Sequence, residues 1–335
     1  VTNEKAAADV AVRNLKIDGK RDKYKQRTGN EGWGSSHQYG IYLSGASNVT
    51  LSGLWIGNNR ADQIHARKCK NVVIRDCALE NGGHDCVYSY RSDTVKVLNC
   101  RLALRCNCGI RLYSTNHSVV RGCIIHPVLK PVQGKGSSAI QIQWNAGKMD
   151  DVLIEGNTFF GCSAGVSPES CEFDAARRGS MSPGRIVVRN NIIHHCRGGG
   201  ILYSDYDMLI ESNTISYNGG PGIGLNLQYR TRLPAPKTIT VRNNIITGNR
   251  GAGISLAQAK NVRILSSYNN VWGNAGGSYV GNVEVHRDIS VDPLFASPSW
   301  RKSLPGGKHL LEVDLHLKSR HGRWDGTKWV KDDVT

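Results

Sequence analysis

The feature that most restricts this chain is a repeat of 23 residues. Aligning Asn48–Ile56 (NVTLSGLWI), Asn71–Leu79 (NVVIRDCAL), Thr94–Leu102 (TVKVLNCRL) and His117–Ile125 (HSVVRGCII) puts Leu54, Cys77, Cys100 and Cys123 in one column. The pattern runs on, with insertions, through VLIEGNTF, IVVRNNII, MLIESNTI, ITVRNNII and SSYNNVW, where the column reads Asn157, Asn191, Asn213, Asn244 and Asn270. A second column holds Cys162, Cys196, Asn218, Asn249 and Asn274. Each unit is two or three short alternating apolar runs, rich in Val and Ile and broken by Gly or Asn, which is a strand pattern. A leucine-rich repeat would need a leucine spacing that is absent. One residue type stacked unit upon unit marks a solenoid in which identical side chains form ladders. The expectation is an all-β, single-stranded right-handed parallel β-helix of about ten coils with loop insertions, a rod roughly 50 Å long at about 4.8 Å per coil.

Composition fits a thin core. Glycine is abundant at 38 residues, and Phe and Met are scarce at 4 and 3, leaving Val, Ile, Leu and Cys to fill the interior. No run of 18 apolar residues exists, so no membrane-spanning helix is expected. All ten cysteines fall between Cys69 and Cys196. An even number suits disulfides, but the column position of Cys77, Cys100 and Cys123 makes them buried thiols that pack as small hydrophobes. No CxxC pair occurs, and Cys106-Asn107-Cys108 is too tight for zinc-ligand spacing, so no structural metal site is expected. The chain starts at Val1 without an initiator Met or signal-peptide pattern, as a processed or excised N-terminus would. DISVDPLF (Asp288–Phe295) leaves the repeat, and residues 296–335 carry three of the seven tryptophans. The division expected is a β-helix over 1–295 and an irregular tail or cap over 296–335 that covers the open sheet edge.

Insertions on a repeat scaffold project from one face and mark where function lies. One strand column starts at Ile41, Ile64, Val87, Ile110, Ile140, Val166, Ile201, Ile223 and Ile254. Long insertions precede it at 18–38 and 126–137 and follow it at 167–184 and 228–237, so this sheet is expected to floor a groove. If the first residue of each strand points inward, alternation turns His65, Tyr88, Arg111 and Gln141 outward, and after them Arg67, Tyr90, Tyr113 and Gln143. His84 and Asp85 lie just before the Tyr88 strand, Asp62 lies one coil below Asp85, and Glu169, Glu172 and Asp174 follow on a loop. A merely solvated β-helix face carries Thr, Ser, Asn and Lys, and Tyr and Arg also decorate surfaces without doing chemistry. Asp62 above Asp85 reads as a turn ladder, a carboxylate pair or a calcium site. Residues 60–135 hold 13 Lys/Arg and 5 Asp/Glu, half of the chain's net charge of +16. A basic groove focuses anionic ligands. No nucleic-acid-binding motif occurs, and stacked rungs suit an extended anionic polysaccharide better than a duplex groove.

Over roughly residues 10–295 the coils resemble the parallel β-helix repeat proteins, a group that includes polysaccharide lyases, alginate C5-epimerases and non-catalytic surface proteins. GHDCVYSY (Gly83–Tyr90) is similar to their Gly-x-Asp-Gly-Ile/Val coil turn, with Cys86 in place of the second Gly. The tail Asp314–Thr335 looks like the closing segment of secreted or surface β-helix proteins, which implies an extracellular, cell-surface or virion-surface location. Lyases and epimerases share removal of the C5 proton of a uronic acid, which requires neutralising the sugar carboxylate. The resemblance implies Arg111, with Arg67, or a calcium ion held by Asp/Glu, for that purpose. It implies His65, His84 or an ionised Tyr88 as base, and Tyr88 or Tyr90 as acid. Arg67, Tyr90, Tyr113, Gln141, Gln143 and Asp85 would bind substrate. In alginate epimerases His and Tyr beside Arg come with an Asp-Pro-His motif, whereas this chain reads His84-Asp85. The leading expectation is a polysaccharide lyase acting by β-elimination on an acidic polysaccharide. The alternatives are C5-epimerase, glycoside hydrolase (although the polygalacturonase signatures Asn-Thr-Asp and Arg-Ile-Lys are absent) and a non-catalytic carbohydrate-binding surface or viral fibre module. Nothing in the sequence speaks to oligomeric state.

Overall fold

Each repeat folds into three short strands, and equivalent strands of successive repeats pair in parallel, so the chain winds as a coil. The computed structural model describes residues 6–20, 38–128, 138–144, 151–170, 185–202, 207–225, 237–256, 262–297, 313–318, 323–324 and 328–331. Among these residues there are three long parallel sheets of 11, 10 and 10 strands, in each of which a strand pairs with the third strand on along the chain. The architecture is a right-handed parallel β-helix. No helix among the described residues is long and apolar enough to cross a membrane.

The interior follows the alternation. Ile64, Val87, Ile110, Ile140, Val166, Ile201, Ile223 and Ile254 are fully buried, stacked in register from coil to coil. Matching rows line the other two sheets, so small branched side chains fill a narrow tube and large aromatics have little room.

The ladders set where each coil bends. Asp76, Asn99, Gly122, Gly156, Asn190, Ser212, Asn243 and Tyr268 all adopt left-handed backbone, with φ between +52° and +66°. That reversal turns the following side chain into the tube. The residues so placed are Cys77, Cys100, Cys123, Asn157, Asn191, Asn213, Asn244 and Asn269. The last one corrects the expectation of Asn270. In the adjacent pair it is Asn269 that follows the left-handed residue, whereas Asn270 begins a strand and bonds Val291 at the surface.

Each Asn of the main column donates twice to the next coil, as Asn191 does through its backbone N and Nδ2 to Asn213 Oδ1, both at 3.0 Å. Nδ2 also donates to Ile154 O at 3.0 Å and to Arg189 O at 2.9 Å. The thiols reproduce the donor half of this pattern, Cys100 Sγ lying 3.2 Å from Leu98 O and 3.8 Å from Ile74 O. Where the column changes type, Cys123 N donates to Asn157 Oδ1 at 2.8 Å. The nine described cysteines are buried, and none of them forms a disulfide. The second column behaves alike, Cys196 N donating to Asn218 Oδ1 and Asn218 to Asn249.

The main ladder reaches one rung further than the repeat suggested. Asn269 donates to Asp288 Oδ1, and the other oxygen of Asp288 accepts from Ser266 and from Tyr279 at 2.7 Å. Beyond it, Phe295–Ser297 pairs antiparallel with Asp314–Leu317, and the buried Phe295 ring lies 6.4 Å from Tyr217. Most of the tail expected over 296–335, and most of the insertions expected around the groove, lie outside the described residues.

Because Asn213 links three coils, Asn213→Ala strands the backbone N–H of Asn191 and a core carbonyl. The expected cost is about 2–4 kcal/mol, measured as a lower denaturant midpoint with unchanged m-value.

Candidate functional site

Register converts the outward alternation into two adjacent rows. On the sheet containing Ile41–Ser44, Ile64–Arg67, Val87–Tyr90, Ile110–Tyr113 and Ser138–Trp144, one row reads Tyr42, His65, Tyr88, Arg111, Gln141 and Ser167. The next row reads Ser44, Arg67, Tyr90, Tyr113 and Gln143. Glu169 continues this row on the backbone of the following strand; its side chain, and Glu172 and Asp174, lie outside the described residues.

The first row is aromatic around an imidazole. The His65 ring lies 4.8 Å from Tyr39, 5.2 Å from Tyr42 and 4.8 Å from Tyr88, which it meets edge-on. In the second row the Tyr90 and Tyr113 rings are 5.1 Å apart, and the exposed guanidinium groups of Arg67 and Arg91 stand 6.0 and 5.2 Å from the Tyr90 ring. Half-buried rings with flanking cations suit the apolar faces and carboxylates of an acidic sugar.

Beneath the rows lies a buried charge network. Asp62 Oδ2 accepts from His65 Nδ1 at 2.7 Å, and Asp62 Oδ1 accepts from His84 Nδ1 at 2.7 Å and from the Asp85 backbone N at 3.0 Å. Asp85 repeats the arrangement one coil on, its Oδ1 accepting from Cys108 N at 2.8 Å. Its Oδ2 lies 2.9 Å from Arg111 Nε and 3.2 Å from His84 Nδ1. The Arg111 N–H does not point along that line, so the contact is ionic rather than an aligned hydrogen bond. Arg111 Nη1 donates to Gln143 Oε1 at 2.9 Å, and the guanidinium carbon is 5.6 Å from the Tyr88 ring.

Depth separates the expected residues. Arg67 is exposed, Tyr88, Tyr90, Tyr113, Gln141 and Gln143 are half-buried, and His65 retains 8% exposure. His84 and Asp85, at 4% and 0%, lie in the wall beneath the rows. The turn carrying them passes so close to the previous coil that a Cβ on Gly83 would sit 2.0 Å from Arg60 O. Arg111 is tied to Asp85 and Gln143, so its charge is a fixed field rather than a mobile clamp.

Burial and pairing divide the proton affinities. Burial works to raise the Asp62 carboxyl, but hydrogen bonds from His65 and His84 outweigh it and hold the pKa down at about 2. Burial opposes charge on His84, yet the facing Asp85 and Asp62 carboxylates overcome that and raise its pKa. Burial lifts the Tyr88 phenol well above its ordinary range, despite the neighbouring Arg111. Tyr88 is therefore suited to giving a proton, and an ionised Tyr88 base does not fit its surroundings.

Asp62, His84 and Asp85 also bring potential metal-ligand atoms within 4.8 Å of one another. Their donors and acceptors are already matched to each other, and the Arg111 guanidinium occupies the flank a cation would take. Calcium takes 6–8 oxygen ligands, which two committed carboxylates do not supply. These residues fit an ion-pair network better than a metal centre.

Sequence reasoning passed over Tyr39, Tyr42, Arg91 and Asn107. Tyr42 stands 23 residues before His65, so the column already held it. Asn107, 23 residues after His84, presents its side-chain amide 3.1 Å from His84 Nε2. Arg91 turns toward Tyr90 from a left-handed position that alternation does not describe.

The family described as the right-handed β-helix region matches residues 28–173 and 169–286. No curated protein matches the sequence. Among solved structures, the A-module of the Azotobacter vinelandii mannuronan C-5 epimerase AlgE6 superposes with a TM-score of 0.65 at 17% identity, covering 85% of this chain and 74% of the module. The Dettilon tailspike protein gives 0.61 at 16% identity, covering 82% of this chain and 54% of that one. The periplasmic alginate epimerase AlgG gives 0.56 at 12%, covering 78% of this chain and 64% of that one. At such identities the likeness is one of fold.

The buried pairing of Asp85 with Arg111 makes a stability prediction. Arg111→Met takes the guanidinium away from the buried Asp85 carboxylate, leaving it only His84 and the Cys108 backbone N, and is expected to cost about 3 kcal/mol. Adding Asp85→Asn, which keeps the acceptor for Cys108 N, should recover most of that loss in a double-mutant cycle of chemical denaturation.

Proposed function

The chain belongs to the right-handed β-helix family, and from that premise we propose that it is a polysaccharide lyase acting on a uronic-acid-containing chain laid along the two rows. The observation that carries this reading is His65. Its Nδ1 is fixed on the buried Asp62, and its Nε2 makes no hydrogen bond among the described residues, beside a Tyr88 kept protonated by burial. Base and acid thus stand in contact on one face. The net charge of +8 over residues 60–135, together with the exposed Arg67 and Arg91, supports an anionic substrate. The fold shared with alginate epimerases supports a polyuronate. A periplasmic enzyme and a tailspike among the similar structures support an extracellular or surface location.

In this reading the sugar carboxylate pairs with Arg67, in the field of Arg111, so that charge developing on it is stabilised. His65 Nε2 takes the C5 proton, and the electron pair of the broken C–H bond forms the C4=C5 double bond. The C4–O4 bond breaks, and the Tyr88 hydroxyl gives its proton to the departing O4. Tyr90 and Tyr113 hold the neighbouring sugar. The same pair of groups serves a second reading, C5 epimerisation, if Tyr88 returns a proton to the opposite face of C5 while O4 stays bonded.

Incubation with alginate, pectate, hyaluronan and heparin-like chains tests both readings. Elimination raises the ultraviolet absorbance of unsaturated uronate, whereas epimerisation shows as deuterium at C5 by proton NMR in heavy water. His65→Gln and Tyr88→Phe should each lower turnover by about 10²–10⁴-fold while the unfolding midpoint holds, and Arg67→Ala should raise KM. If no polyuronate is altered but a glycan array shows binding, the protein is a binding module. Full activity in both variants would mean that the chemistry lies elsewhere.

A further inference from the structure

We propose that Asp62 and His84 are positioning residues: one buried carboxylate bridges two imidazoles in opposite charge states, a neutral His65 facing the groove and a fixed imidazolium His84 behind it. This deepens the reading of His65 as base and rests on it.

Geometry fixes half of each imidazole. The Asp62 carboxylate can only accept, and both Nδ1 atoms lie 2.7 Å from its oxygens, so each Nδ1 carries its proton. The two rings can differ only at Nε2. Charge then decides between them. The wall encloses the carboxylates of Asp62 and Asp85, at 2% and 0% exposure, against the single guanidinium of Arg111. One negative charge is left over, and an uncompensated charge at such depth is strongly unfavourable. A proton on one Nε2 closes the balance.

The surroundings assign that proton to His84. It faces both carboxylates, at 2.7 and 3.2 Å. Its Nε2 lies 3.1 Å from Asn107 Nδ2, and a protonated Nε2 requires the Asn107 amide in its other orientation, with Oδ1 toward the ring. Arg111 and the Tyr88 ring at 6.1 Å also face it. Among the described residues, His65 pairs with Asp62 alone of the charged groups; its other neighbours are the rings of Tyr39, Tyr42 and Tyr88.

The arrangement has a catalytic consequence. A carboxylate serving one histidine raises its proton affinity and favours the charged, non-basic form. Sharing Asp62 with an imidazolium offsets that pull on His65, yet still holds its ring with Nδ1 protonated and Nε2 bare. His84 acts through Asp62 and never meets the substrate.

Long-range proton–nitrogen NMR of the histidines in the intact protein tests this without any substrate. At pH 7, His65 is expected as the neutral Nδ1–H tautomer. His84 should carry protons on both nitrogens at that pH, its affinity lying above that of an ordinary imidazole. His84→Gln should lower kcat at pH 7, with kcat regained on the alkaline side. Asp62→Asn should lower kcat about 100-fold with KM unchanged. A neutral His84 at pH 7, or His65 protonated on Nε2, overturns the proposal whatever the protein turns over. Absence of turnover on every polyuronate would overturn the lyase reading and leave the NMR result to judge this one.

Discussion

Everything in this molecule depends on a hydrogen bond that runs along the rod instead of across a strand pair. A side chain turned into the tube by a left-handed backbone residue bonds the backbone of the next coil, and so locks each coil over its neighbour. Without it, a stack of short Val- and Ile-rich strands could slide by two residues and still bury the same faces. The Asn and Cys columns remove that freedom, since only one register brings amide to amide. The outer rows inherit this register, which is why His65, Tyr88 and Arg111 stand side by side although 23 residues separate each from the next.

The site is a variant of the same device. Asp62 and Asp85 each accept a backbone N–H from the following coil through Oδ1, much as the buried Asn residues do through theirs. A carboxylate has a second oxygen of equal capacity and a negative charge. On Asp62 that oxygen takes His65, and on Asp85 it faces Arg111. A turn element used elsewhere for construction thereby becomes an anchor for titratable groups, and the adjoining wall gains polarity without opening to water.

Much of this could be read in the chain. Columns of Cys and Asn imply stacking, and period-two alternation implies which of His65 or Ile64 faces out. Alternation gives side, however, not depth. His84 and Asp85 sit in a turn where no alternation holds, and whether such residues reach the groove depends on how tightly Gly83 lets the backbone approach Arg60. The Asn269–Asn270 pair fails for a related reason: two identical neighbours compete for one slot, and the left-handed Tyr268 decides between them. The bridging role of Asp62 needed both coils in place, because its partners lie 3 and 22 residues away on different turns.

The ladder also has a direction. From amide to amide the main column's bonds run one way, each Asn giving its backbone N–H and an Nδ2 proton to the oxygen of the next, while Nδ2 also reaches a carbonyl of the preceding coil. Asp288 ends this series: its carboxylate collects from Asn269, Ser266 and Tyr279, and its side chain has no N–H to give. The last rung of the main column differs from those before it by a single atom, oxygen in place of nitrogen. A coil could be duplicated anywhere upstream without upsetting the series, whereas extension past this point would require the terminating oxygen to become an amide again.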